Sequence, residues 1–274
     1  MFENISTNQV ILAFGLTVFA GLSTGIGSAL SFFMQDLNKR FLSGSLGFSA
    51  GVMVYVSLIE IFPKANDSIS SVLGNKAGAW ATVGSFFLGI LVIGIIDRLI
   101  PECDNPHEIH HVKEIQGKEK PKCIRSLHRT GVFVALAIAI HNFPEGLATF
   151  MSAIGDVKLG IMIAVAIAVH NIPEGVSVAV PIYYATGNKK KAFVYSLVSG
   201  LAEPVGALVG YILLRPFFNE IVFGVIFASV AGIMVFISID ELIPSAEEYG
   251  EHHYCIYGFI SGMAVMAISL LFFI

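Results

Sequence analysis

His141-Asn142-Phe143-Pro144-Glu145-Gly146 recurs 29 residues on as His170-Asn171-Ile172-Pro173-Glu174-Gly175, each copy inside a long apolar run. Imidazoles and carboxylates cost several kcal/mol in hydrocarbon unless they are paired or ligated, so intramembrane ones mark function by default. A lone buried His or Glu is often a satisfied inter-helix hydrogen bond. The same costly cluster written twice is not readily explained as packing.

The apolar surroundings are general. Hydrophobic residues make up 55% of the chain, charged ones 13%, and the mean hydropathy is +0.78. A soluble domain carries about twice that charged fraction, so the expected solvent is a bilayer. The 274 residues read as one integral membrane domain over 1–274. Three cysteines, Cys103, Cys123 and Cys255, make no disulfide framework. The start, Met1 to Asn8, lacks the basic region of a signal peptide, and the first apolar segment is expected to be retained.

A hydrocarbon core about 30 Å thick needs roughly 20 apolar residues in a helix. Eight segments qualify, at about 9–34, 42–62, 78–100, 128–153, 158–186, 192–215, 218–243 and 254–274. Gly155-Asp156-Val157-Lys158 must turn the chain between the fourth and fifth. An even count puts both termini on one side. With the termini outside, inner loops and flanks hold 12 of the 16 Lys and Arg, which the positive-inside tendency favours.

Internal repeats support the count. Gly21-Leu22-Ser23-Thr24-Gly25-Ile26-Gly27 in the first segment parallels Gly200-Leu201-Ala202-Glu203-Pro204-Val205-Gly206 in the sixth. SLIEIFPKA (57–65) in the second parallels SIDELIPSA (238–246) in the seventh, matching Glu60 with Glu241 and Pro63 with Pro244. Each shift is five segments, so paired helices run in opposite directions. The expected fold is an all-α polytopic bundle of eight transmembrane helices, arranged 3+2+3 as inverted repeats about an in-plane two-fold through the hexapeptides. Inverted repeats with a midplane site are a secondary-transporter signature.

Within each hexapeptide, helical spacing puts His141 and Glu145 on one face, and likewise His170 and Glu174. Asn142 and Asn171 reach the same Glu at i+3. Pro144 and Pro173 supply no N–H, free the carbonyls of Ile140 and Val169, and kink each helix; broken helices are tolerated where they line a polar cavity. Antiparallel packing gathers two imidazoles and two carboxylates. That donor set suits Zn²⁺, with Fe²⁺, Mn²⁺, Co²⁺, Ni²⁺ and Cd²⁺ as competitors. The two Asn and Glu203, itself followed by Pro204, would make a more oxygen-rich site alongside, sharing Glu145 and Glu174. Glu60, Glu241, Asp97 and Asp240 are read near helix ends, where carboxylates reach water. Met53 reads as packing.

On these residues the chain resembles the ZIP-type (ZRT/IRT-like) divalent metal transporters, most closely their bacterial members, over essentially its whole length. The resemblance implies a zinc importer of broad metal range, a homodimer in the cell membrane, and a binuclear centre. One metal site would fall on His141, Glu145, His170 and Glu174, and the other on Asn142, Glu145, Asn171, Glu174 and Glu203. It also implies that segments one, four, five and six move against the rest. Zinc enters as substrate; no cofactor and no nucleic-acid partner is expected, and the lipid bilayer is the surrounding partner. The 101–127 loop, with Cys103, His107, His110, His111 and Cys123, is read as a cytosolic linker or metal-sensing loop, with Glu247, Glu248, Glu251, His252 and His253 on the same side. A zincin protease would need His at i+4 and Glu beside the first His, which neither hexapeptide has. A metal sensor sits poorly with inverted repeats, and no G-x-x-x-x-G-K-[ST] stretch suggests an ATP-driven pump. An exporter shares the site chemistry and differs only in direction.

Overall fold

The computed structural model describes residues 6–32, 39–99, 142–217, 219–248 and 252–271. All regular structure in these residues is helical. We label the helices α1 (Thr7–Ser31), α2 (Lys39–Leu73), α3 (Asn75–Leu99), α4 (142–155), α5 (Val157–Thr186), α6 (Lys189–Leu214), α7 (Glu220–Glu247) and α8 (His252–Leu271). Seven of them, all but the short described length of α4, are long and apolar enough to cross a membrane. Trp80, Phe87 and Leu91 on α3, and Tyr257, Ile260 and Ile268 on α8, are exposed apolar side chains of the kind a bilayer covers. The chain is an all-α, multi-pass membrane protein.

Side-chain caps fix several starts. Ser6 forms a reciprocal capping box with Gln9, Asp156 Oδ1 accepts from the amides of Lys158 and Leu159, Asn188 caps α6 through Lys191 N, and Asn219 caps α7 through Val222 N. Asp156 thereby makes the expected turn between α4 and α5 a tight one. There a Cβ on Gly160 would overlap Ala153.

Three helices differ from their expected form, in two ways. α2 runs on to Leu73 and α7 to Glu247, well past 62 and 243. Each passes its proline through one π-helical turn, Ser57–Ile61 in α2 and Ser238–Leu242 in α7. There Phe62 N reaches back to Ser57 O and Ile243 N to Ser238 O. This one-residue shift of register lets the helix continue through Pro63 and Pro244, instead of ending near them. Glu60 and Glu241 therefore lie within long helices, not at helix ends. The second difference is that α5 continues unbroken through Pro173. α6 is interrupted at Leu201, because Pro204 has no N–H to offer the Gly200 carbonyl.

Glycine contacts trace the two-fold. A Cβ on Gly51 of α2 would overlap the Phe259 carbonyl of α8, and one on Gly232 of α7 would overlap the Phe86 carbonyl of α3. Gly262 meets the Phe48 carbonyl, and its counterpart Gly89 meets that of Ser229. With the repeat 57–65/238–246 as register, Gly51 corresponds to Gly232 and Phe48 to Ser229. In both pairs small residues bring membrane helices to backbone contact. α2 thus packs on α8 as α7 packs on α3. The main core lies between these pairs and the central helices, with Met53 and Val56 of α2, Met151 of α4, Ile163 and Ile167 of α5, and Phe227 and Met234 of α7 all buried.

Candidate metal centre

The central helices obey the same axis. Gly27 of α1 would overlap the Ile172 carbonyl of α5, and Gly206 of α6 the Phe143 carbonyl of α4. Gly175 closes on the Thr24 carbonyl, and Gly146 on that of Glu203. Gly21 and Gly200, first residues of the paired repeats, close on each other's carbonyls, so the axis passes between them. Each hexapeptide is clamped by a helix one repeat away: the second by α1, the first by α6.

That clamp aims the polar side chains inward. Asn142, Glu145, His170, Asn171, Glu174 and Glu203 are at most 4% exposed. Glu145, His170 and Glu174 each offer a ligand atom, and these lie within 4.8 Å of one another. His170 Nε2 stands 3.3 Å from Glu145 Oε1, so the second motif's imidazole faces the first motif's carboxylate across the α4–α5 interface. Glu203 joins from α6, where Asn171 Nδ2 donates to its Oε1. The same amide donates to Ala20 O at 3.0 Å, and Asn142 Nδ2 donates to Ser199 O at 3.2 Å. Ala20 and Ser199 are themselves repeat counterparts. Ser49 Oγ of α2 donates to the His170 carbonyl at 3.2 Å and anchors α5 to the outer helices at the level of the site.

The donor oxygens are poorly satisfied by protein. Both carboxylate oxygens of Glu145, Oε2 of Glu203, and the amide oxygens of Asn142 and Asn171 accept no hydrogen bond among the described residues. A carboxylate buried without donors is costly and holds its place when a cation neutralises it. Three carboxylates, an imidazole and two amide oxygens in one buried cluster are a divalent-cation donor set of mixed N and O character.

Of the candidate residues, the structure brings together Glu145, His170, Glu174, Asn171 and Glu203, with Asn142 one turn away on the Ser199 carbonyl. His141, Cys103, His107, His110, His111 and Cys123 lie outside the described residues. Met53 is buried in the apolar core. His252 pairs with Glu247, Nδ1 to Oε1 at 2.7 Å, both well exposed at the α7–α8 junction. A buried residue with no role in the sequence reading, Thr24, stands where the repeat aligns it with Glu203.

A multi-pass bundle of inverted repeats with a buried metal-donor cluster on its axis defines a membrane transporter for metal ions. Residues 7–270 match the family model described as ZIP Zinc transporter, and the chain belongs to that family. The family is one of transporters and not of enzymes, which removes the protease alternative. Relatives described as "Zinc transporter ZupT" include those of Clostridium perfringens, 58% identical over 97% of this chain and 98% of the relative, and Lysinibacillus sphaericus, 60% identical over 96% and 97%. The one from Streptococcus mutans is 59% identical over 98% of this chain and the whole of the relative.

Proposed function

We propose that the chain carries Zn²⁺ from outside to the cytosol by alternating access through the cluster of Glu145, His170 and Glu174. In this reading His141 completes a nitrogen-rich site, while Asn142, Asn171 and Glu203 form an oxygen-rich one alongside, with Glu145 and Glu174 shared. The observation that carries it is the burial of Glu145, His170 and Glu174 with ligand atoms within 4.8 Å of each other on the axis of an inverted repeat. The relatives' printed description supports zinc as the cargo. Fe²⁺, Mn²⁺, Co²⁺, Ni²⁺ and Cd²⁺ fit the same mixed donor set and are expected competitors. The excess of Lys and Arg in loops on one side supports termini outside. Import and the homodimer follow from the family resemblance.

An ion entering the site exchanges part of its water for carboxylate and imidazole. Because neutral imidazole and ionised carboxylate are the ligating forms, protons compete with the metal. Release toward the cytosol needs the helices that hold the donors to shift against α2, α3, α7 and α8. The Ser49–His170 carbonyl bond is one contact that such a shift must break or carry along.

The test is ⁶⁵Zn²⁺ flux in proteoliposomes of known protein orientation. Saturable flux entering from the face that bears the termini, and lost in Glu145→Ala/Glu174→Ala, is the expected result. A wild type that binds zinc but moves none refutes the transport reading. Flux in the opposite direction alone makes it an exporter.

A further inference from the structure

The two-fold pairs Thr24 with Glu203, and the two are chemically unlike. Their backbones are equivalent: Thr24 O lies against Gly175 and Glu203 O against Gly146. Their Cα–Cβ bonds therefore leave α1 and α6 in related directions. Glu203 ends on the amide of Asn171, so the related contact is between Thr24 and Asn142. A threonine hydroxyl ends two bonds short of where a glutamate carboxylate does, and that contact is not closed. Neither Thr24 Oγ1 nor Asn142 Oδ1 has a hydrogen-bond partner among the described residues, and both residues are 0% exposed. Buried polar atoms are nearly always paired, and an orphan asks for an explanation. Here the two orphans occupy the repeat positions that correspond to the Asn171–Glu203 pair, with the Thr24 hydroxyl lying against Gly200 of α6.

We propose that Thr24 is a specificity-determining residue of the metal path: its hydroxyl and Asn142 Oδ1 present neutral oxygens to the passing ion's retained water, where the related half presents the Glu203 carboxylate. The proposal rests on the reading of the hexapeptides as that path. Beside the shared Glu145 and Glu174, an ion between Thr24 and Glu203 meets one further carboxylate on the Glu203 side and a neutral hydroxyl on the other. A second carboxylate in place of Thr24 would hold it from both sides, and would favour the harder, oxygen-seeking ions such as Mn²⁺ over Zn²⁺. The hydroxyl keeps the oxygen-rich site short of that.

The experiment is equilibrium ⁶⁵Zn²⁺ binding to the purified full chain, with Mn²⁺ as competitor and a melting curve for each variant. Thr24→Val, of the same shape without the hydroxyl, is expected to weaken zinc binding about five-fold, the worth of one hydrogen bond. Thr24→Ser should restore it to within about two-fold on the same basis. Thr24→Glu should strengthen Mn²⁺ competition by about ten-fold, as expected for one added charged ligand. A Thr24→Val protein that binds zinc and is competed by Mn²⁺ like the wild type overturns the proposal, whether or not it melts lower. If wild-type zinc binding proves independent of Glu145 and Glu174, the metal-path reading itself has failed, and this proposal falls with it.

Discussion

The outer helix pairs and the central four helices obey the same two-fold to different depths. Between α2–α8 and α7–α3 the correspondence reaches single contacts: Gly51 on Phe259 is matched by Gly232 on Phe86, and Gly262 on Phe48 by Gly89 on Ser229. Around the metal donors the backbone contacts are matched just as closely, but the side chains are not. Asn171 spans to both Ala20 and Glu203, while among the described residues the Asn142 amide donates only to Ser199. Helix packing is set by where small residues let backbones meet. Ion chemistry is set by what stands on those backbones, and only the second has diverged.

The largest expected effect falls on the donors. Replacing Glu145 and Glu174 together by Ala should reduce ⁶⁵Zn²⁺ flux to background, more than about 100-fold if each lost charged ligand is worth 1.5–3 kcal/mol. The protein should keep its melting temperature or gain slightly, since two buried carboxylates give way to apolar side chains. A variant that melts far lower would show that these carboxylates hold the bundle together as well. Gly51→Leu and Gly232→Leu push a side chain into a neighbouring carbonyl in related places, and each should cost about 3 kcal/mol or more. Thermal unfolding in detergent should give matching losses for the two; a clear inequality would break the symmetry of the outer pairs.

Smaller effects sharpen the contrast at the site. Asn171→Ala removes two hydrogen bonds and Asn142→Ala one, so the first should destabilise by about 2 kcal/mol and the second by about 1, read by the same melts. Acidification should weaken zinc uptake, because protons compete for His170 and the carboxylates. Raising the zinc concentration at the lower pH should recover the rate, and failure to recover it would place the acid effect elsewhere. The least effect belongs to His252→Ala. The exposed Glu247–His252 pair is worth at most about 1 kcal/mol, and neither melting nor flux should change measurably.

Much of this was legible in the sequence, for physical reasons. Hydropathy runs mark spans because lipid demands them, and the paired 57–65 and 238–246 stretches foretold two helices of one design. The π-helical turns within those stretches were not foretold. The apolar segments end at about 62 and 243, just before Pro63 and Pro244, and nothing in a sequence announces a register shift that carries a helix past a proline. Pro173 likewise does not end its helix, since Val157–Thr186 stays helical around it. The central donors were found because a charged residue in an apolar run is conspicuous. Thr24 was missed because a threonine in such a run is not. Its signal lay in the fourth column of the alignment of 21–27 with 200–206, where every other feature invited attention to Glu203 alone.

Gly21 touches Gly200 across the axis, as a residue touches its own copy in a symmetric pair of identical subunits. Two identical half-length chains meeting there would carry one choice for positions 24 and 203, hydroxyl on both sides or carboxylate on both. Joined into a single polypeptide, the halves answer to separate codons. Beyond the carboxylates that both hexapeptides supply, a metal ion on that axis can then be offered an extra charge from one side and a neutral oxygen from the other, an arrangement closed to any strictly symmetric assembly of the same parts.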